Sequence, residues 1–276
     1  PMHGQVGKQY KVKQSIYEII AYKNLEKLRM LIEPFVFFYT RDHDIRFQEL
    51  SVSLSPEEME WYESAAKGFD HRKLREDDEV PYSVRLHDLQ LIVDNGQDSN
   101  FTSKQVSLAQ YMTSNEMHGS VVFFSYKESL ARAMECVSGF EIEVITGDTS
   151  SKERKRIKEW LGPGRFIFMT DAGRQSLNLD AVNHLLFYDT PFSIVTVSQV
   201  IGRIVRISSL YKEFYIFFLK VKDTVDEYKV NLISTNADLV KEVIGGYSNL
   251  PDLKYHSPKS MMLMRKSLLW KTKGGK

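Results

Sequence analysis

Four residues in the last third of the chain, Gln199, Gly202, Arg203 and Arg206, have the types and spacing for chemistry on phosphate. They follow the pattern Q-x-x-G-R-x-x-R. On a helix turning about 100° per residue, side chains three or four positions apart share a face. The spacing therefore predicts that Gln199, Arg203 and Arg206 point one way from a single helix. Arginine carries a permanent charge on a planar fork of donors that matches phosphate, and it stabilises a phosphoryl group during transfer. A solvated helix face would use the same residues, so the surrounding elements must decide between the two.

Those elements alternate. Short apolar runs are predicted as strands at Val121–Phe124, Glu141–Ile145, Phe166–Met169, His184–Tyr188 and Phe214–Leu219. Helical segments are predicted between them, at Lys127–Val137 and Ser151–Trp160. Continuous apolar strands separated by helices indicate a parallel sheet covered on both faces. In such α/β sheets ligands bind beyond the carboxyl ends of the strands. Those ends carry Ser125, Thr146-Gly147-Asp148, Thr170-Asp171-Ala172-Gly173 and Asp189-Thr190-Pro191. At the third of them the Thr170 hydroxyl and the following amides can face a backbone phosphate, and small Ala172 and Gly173 allow close approach. Capping of a helix by Thr170 or Asp171 is compatible with the same residues.

In this order the motifs resemble the second RecA-like lobe of a superfamily-two helicase or translocase, most closely the Swi/Snf branch. VVFFS (Val121–Ser125) is similar to the strand called motif IV, and ITGDTSSKERKRIKEW (Ile145–Trp160) to the strand, Thr-Gly step and Arg-bearing helix after it. MTDAGRQSLNL (Met169–Leu179) resembles motif V and QVIGRIVR (Gln199–Arg206) motif VI. LRMLIEPFVFFYTRDHDI (Leu28–Ile45) is similar to the passage between lobes, SLSPEEMEWYESA (Ser53–Ala65) to the opening of the second lobe, and Asp223–Ile244 to the long closing helix. The chain departs from the family at Arg174, where Gly is usual, at Asp171, where Glu is common, and at Ser208-Ser209, which replace Gly-Gln. The resemblance implies a RecA-like lobe over 51–245, preceded by the end of a first lobe and a crossover over 1–50 and followed by a basic, apolar tail over 246–276. It implies that Arg203 and Arg206 act as arginine fingers on ATP, with Gln199, Gly202, Gly173 and Asn178 on the nucleotide side. Ser125, Thr146, Gly147, Lys155, Lys158 and Thr170 are then expected against a nucleic-acid backbone. The implied partners are DNA, duplex rather than single-stranded, and a first RecA-like lobe that holds most of the ATP and its Mg2+.

A hydrolase of this kind needs a glycine-rich loop ending in Gly-Lys-Ser/Thr and an acidic pair for magnesium. No G-x-x-x-x-G-K-[ST] occurs in the sequence. The acidic run Glu76–Glu79 sits in a polar stretch and reads as a solvated loop. The chain is thus expected to hold half of an ATP site and not to hydrolyse ATP alone. The Pro1-Met2-His3 opening reads as a cleavage remnant. Another reading is a stand-alone nucleic-acid-binding or regulatory module that keeps the fold without catalysis. A small-molecule enzyme on a doubly wound sheet is disfavoured, because no nucleophile–base pair is visible.

With 37 basic and 36 acidic residues the net charge is +1, so any affinity for nucleic acid must come from local patches. One is the helix bearing Lys152, Arg154, Lys155, Arg156 and Lys158, beside Thr146-Gly147, expected to contact DNA phosphates. The other is the tail from Lys254, where Lys and Arg interleave with Met261, Met262, Leu263, Met264, Leu268, Leu269 and Trp270; docking on the lobe is expected ahead of a partner segment or a membrane-surface helix. The single cysteine, Cys136, reads as a small buried side chain in a reducing compartment. The seven histidines lack ligand spacing, so no metal is expected, and His184 reads as structural. No apolar run reaches about 18 residues, so an intracellular chain without a membrane span is expected. The polar stretches Lys67–Val80 and Asp94–Ser103 are expected to be loops or boundaries.

Overall fold

The computed structural model describes residues 24–32, 43–66, 82–96, 100–171, 177–209 and 211–244. Six strands form one sheet: β1 (Asp44–Val52), β2 (Ser120–Phe123), β3 (Glu141–Ile145), β4 (Arg165–Met169), β5 (His184–Phe187) and β6 (Glu213–Val221). All of their pairings are parallel, in the order β1-β6-β5-β2-β4-β3. The described helices are α1 (Leu25–Ile32), α2 (Pro56–Ala66), α3 (Tyr82–Asn95), α4 (Ser103–Ser114), α5 (Lys127–Cys136), α6 (Ser151–Trp160), α7 (Ile194–Ile204) and α8 (Val225–Ile244). None of them is long and apolar enough to cross a membrane.

The apolar strands serve both faces of the sheet because successive side chains alternate. Val121, Phe123, Ile167, Met169, Leu185, Phe187, Ile216 and Phe218 pack on one face with Ile157 of α6, Val197, Val200, Ile201 and Ile204 of α7, and Val230 and Ile233 of α8. Val122, Phe124, Phe166, Phe168, Leu186, Phe217 and Leu219 pack on the other with Leu108, Tyr111 and Met112 of α4 and Leu130 and Ala133 of α5. A third cluster joins α2, α3 and the start of α8 through Tyr62, Leu86, Leu89, Val93 and Val225. The expected α/β sheet with helices on both faces is therefore what the chain forms.

From β2 the chain moves outward to β3, then after β4 passes back across β2 to reach β5. That reversal makes the carboxyl ends of β2, β4 and β5 the crevice where such sheets bind ligands. β2 is held in place from its start. Gly119, with φ of 68°, brings the chain so close to the turn before β4 that a Cβ would lie 2.2 Å from the Gly162 carbonyl oxygen. At the same amino edge His184 stacks on Tyr215, ring centroids 4.9 Å apart, and on His118 at 4.7 Å. His184 is thus structural, as its sequence context indicated.

Some expectations need adjusting and others lie outside the described residues. Within Asp94–Ser103 the expected loop is present at residues 96 and 100–102, while its ends belong to α3 and α4. Asp94 closes α3 fully buried, and Thr102 caps α4 by accepting the Gln105 N–H while Gln105 accepts the Thr102 N–H. The signal was present in the sequence, since Thr102-x-x-Gln105 is a capping box. Cys136 is half-buried, with its Sγ 3.6 Å from the Gln105 carbonyl oxygen. The boundary set at residue 50 falls within β1, which pairs with β6 along its whole length. Phe35–Phe38, Glu76–Glu79, Lys67–Val80 and the 246–276 tail lie outside the described residues.

Candidate functional site

Helix α7 is amphipathic by sequence. Val197, Val200, Ile201 and Ile204 are buried at helical spacing against the sheet, which leaves Gln199 exposed and Arg203 half-buried on the outer side. The helix ends at Ile204. Val205 turns to extended geometry, with its side chain fully buried, and Arg206 lies in the following turn. Gln199 and Arg203 therefore share a helix, as expected, but Arg206 does not. The burial of Val205 takes precedence over continuing the helix. Arg206 is half-buried, and among the described residues no acceptor meets its Nε. A Cβ on Gly202 would meet nothing within 4 Å, so α7 is unobstructed at that position.

The segment after β4 comes back to this helix. The Leu179 N–H donates to the Arg203 carbonyl oxygen at 2.8 Å, with Leu177 and Leu179 buried in the core on either side of exposed Asn178. Motif V and motif VI are thereby fastened together, with Asn178 next to the bond. Gly173 lies outside the described residues. Ser208 and Ser209, at the family's Gly-Gln position, bind Asp180: the Ser208 hydroxyl donates to its carboxylate at 2.5 Å and that of Ser209 to its carbonyl at 3.4 Å. The Ser208 bond, opposed by burial and helped by Lys158, holds the Asp180 carboxyl below its usual range.

On the neighbouring strand ends, the Ser125 N–H donates to Asp189 Oδ2 at 2.9 Å, tying β2 to β5. Thr146 and Gly147 form a turn after β3 in which the Thr149 hydroxyl accepts the Thr146 N–H and the Thr146 hydroxyl accepts the Asp148 N–H. Gly147 is exposed and Thr146 half-buried. Lys127, opening α5, meets Asp148 at 2.7 Å across this rim. Thr170 is 5% exposed, so it presents little surface.

Helix α6, capped by Ser150 accepting the Glu153 N–H, sorts its basic residues. Arg154 donates to the Thr146 and Thr149 carbonyls, both at 2.9 Å, and so builds the turn. Arg156 pairs with Glu143 at 2.9 Å. Lys158 stands 3.7 Å from Asp180, while Lys152 and Lys155 are exposed. The outward charge of this helix thus comes chiefly from Lys152, Lys155 and part of Lys158. Sequence could not divide the cluster, because the division depends on which carbonyls lie within reach.

Beneath the rim lies a buried polar network that residue spacing did not reveal. Lys104 Nζ meets Asp94 and Asp226, each at 2.6 Å, with all three side chains essentially unexposed. Burial alone would lower the lysine's pKa, but Asp226 and Asp94 reverse that and leave it above its ordinary value. Gln90 donates to both carboxylates, Ser129 to Asp94, and the Tyr188 hydroxyl to the Asp94 carbonyl. Beside it Asp189 is also buried, which pushes its carboxyl up to about 6 against the opposing pull of Lys229. Among the described residues no cluster of histidine, cysteine and acidic side chains is arranged to hold a metal.

Residues 103–208 match the model of the helicase conserved C-terminal domain. An uncharacterized ATP-dependent helicase, YqhH of Bacillus subtilis, is 28% identical over 118 residues, which cover 36% of this chain and 21% of that protein. The chain therefore spans about a fifth of the length of this relative. Among solved structures, the C-terminal part of the Fun30 ATPase domain superposes with a TM-score of 0.57 at 14% identity, covering 83% of this chain and 98% of that one. The Sulfolobus solfataricus SWI2/SNF2 ATPase core in complex with dsDNA gives 0.55 at 17% identity, covering 81% and 53%.

Proposed function

We propose that this chain is the second motor lobe of an ATP-dependent DNA translocase or helicase, because residues 103–208 match the model of the helicase conserved C-terminal domain and the fold is shared with SWI2/SNF2 ATPase structures. The observation that carries the reading is the Leu179–Arg203 bond, which fastens the segment after β4 to the arginine helix at the reversal of strand order. Gly202, the residue before Arg203, leaves its own side of α7 unobstructed, which suits close approach of a nucleotide held by another lobe. Arg203 and Arg206 supply charge to the γ-phosphate, and Gln199, Gly202, Gly173 and Asn178 complete this side of the nucleotide site. The other lobe would supply the phosphate-cradling loop and the magnesium carboxylates, because no G-x-x-x-x-G-K-[ST] occurs in this sequence. Ser125, Thr146, Gly147, Lys155 and Lys158 meet the phosphates of duplex DNA, a reading supported by the dsDNA in the SWI2/SNF2 structure, while buried Thr170 holds the end of β4 beneath them.

An arginine aimed at the transferring phosphate acts mainly in the transition state. In a protein that joins this lobe to a phosphate-cradling one, Arg203→Ala and Arg206→Ala should each lower ATP turnover by ~10³ to 10⁵. As partly exposed residues they should each cost the fold only ~0.5 kcal/mol. Turnover at saturating DNA, read beside the melting temperature, is the test. Near-normal rates in both variants would reduce the arginines to a solvated face and remove the proposal.

A further inference from the structure

Lys229 stands one turn into α8 with its side chain fully buried, and among the described residues nothing accepts a hydrogen bond from its ammonium. A buried charge without such partners is costly, and an apolar side chain of the same length is often neutral or stabilising in its place. Stability therefore does not explain this lysine. What it touches is specific. Its Nζ lies 4.7 Å from the centroid of the Phe192 ring and 5.4 Å from that of Tyr126. A cation over an aromatic face is attracted most strongly where water is excluded. Phe192 belongs to the short lead-in from β5 to α7, and Tyr126 follows Ser125 at the end of β2.

The same lead-in is held from its other side by Asp189, whose Oδ2 accepts the Ser125 N–H. Asp189 Oδ1 and the Thr190 hydroxyl are also buried without a partner among the described residues. Burial lowers the lysine's pKa, and among the charges that oppose this Asp189 contributes most. The two groups thus feel each other without closing into an ion pair. We infer that Lys229 and Asp189 are positioning residues that fix the lead-in to α7, set the bearing of Arg203, and link the Ser125 rim to the arginine helix. The inference rests on the reading of Arg203 as a phosphate-facing arginine, although its first test does not.

That test is Lys229→Met in the 276-residue chain, which keeps the length of the side chain and removes its charge. The expected result is an unchanged or higher melting temperature, with amide resonances of residues 194–204 and of Ser125 displaced and those of α6 unmoved. Phe192→Leu, which keeps an apolar side chain and removes the ring, should displace the same resonances. In the two-lobe protein Lys229→Met should lower kcat roughly tenfold to a hundredfold while KM for ATP changes little, as expected when a reacting group is misplaced by an ångström or less. Arg203→Ala is the separate control, because it tests the reading while leaving the lead-in intact. Unmoved α7 resonances in Lys229→Met, or a fall in its melting temperature that alone accounts for lost turnover, would overturn the inference whatever Arg203→Ala shows.

Discussion

Arg203 and Arg206 stand three residues apart, yet different forces fix them. Arg203 is carried by a helix whose apolar side is buried, and its carbonyl is anchored by Leu179, whereas Arg206 follows a valine that left the helix to reach the core. The motif's spacing made the first legible, but the second depended on how deeply Val205 is buried. His184 carries a prediction at this scale. Burial, helped by neighbouring His118, lowers its pKa from 6.5 to about 4. The unfolded chain takes up that proton near 6.5 and the folded chain only near 4, so the folded state binds fewer protons between those values. Stability from this group is present above pH 6.5 and is lost as pH falls through that window. Urea unfolding at pH 7 and pH 5 should show the loss, and His184→Phe, which keeps a ring in the stack, should flatten it.

Elements were legible where apolar runs were long and buried on both faces. The expected bounds of β3 and α6 coincide with those observed, and the other expected strands shift by one or two residues at an end. Helices α3 and α4 were missed because their buried faces carry charge as well as apolar groups. Lys104, Gln105, Gln90 and Asp94 are all fully buried, so the hydrophobic period was broken where the polar network took its place. That network joins α3, α4 and α8 through Lys104 between Asp94 and Asp226. Removing the lysine leaves two carboxylates facing each other without water, so Lys104→Met should cost about 3–5 kcal/mol. Chemical denaturation measures this directly. The outcome contrasts with that expected for Lys229→Met, although both variants remove one buried ammonium: Lys104 is paired with two carboxylates, whereas among the described residues Lys229 touches rings and forms no ion pair.

With a net charge of +1 over the whole molecule, the proposed affinity for nucleic acid has to come from local patches of cations. If α6 meets DNA phosphates, binding must weaken steeply with salt and show little preference for base sequence. Lys155→Ala should flatten the salt slope by about one unit, and Lys158→Ala by less, because Asp180 already holds part of its charge. Fluorescence titration of duplex DNA across a salt series distinguishes the two, and equal slopes in both variants and wild type would remove α6 from the interface. The outer pairing of the sheet has a consequence for how the chain is made. Among the described strands β1 comes first in sequence, and its sheet neighbour is β6, with Asp44 opposite Glu213 and Val52 opposite Val221. A ribosome therefore releases β1 long before the strand that completes it exists. Until β6 emerges, nine residues of backbone wait with unmet amides, and the loop to be closed is almost the full span between them. β6, the last of the described strands, joins β1 to β5, so synthesis halted before residue 221 leaves an open edge in the nascent protein.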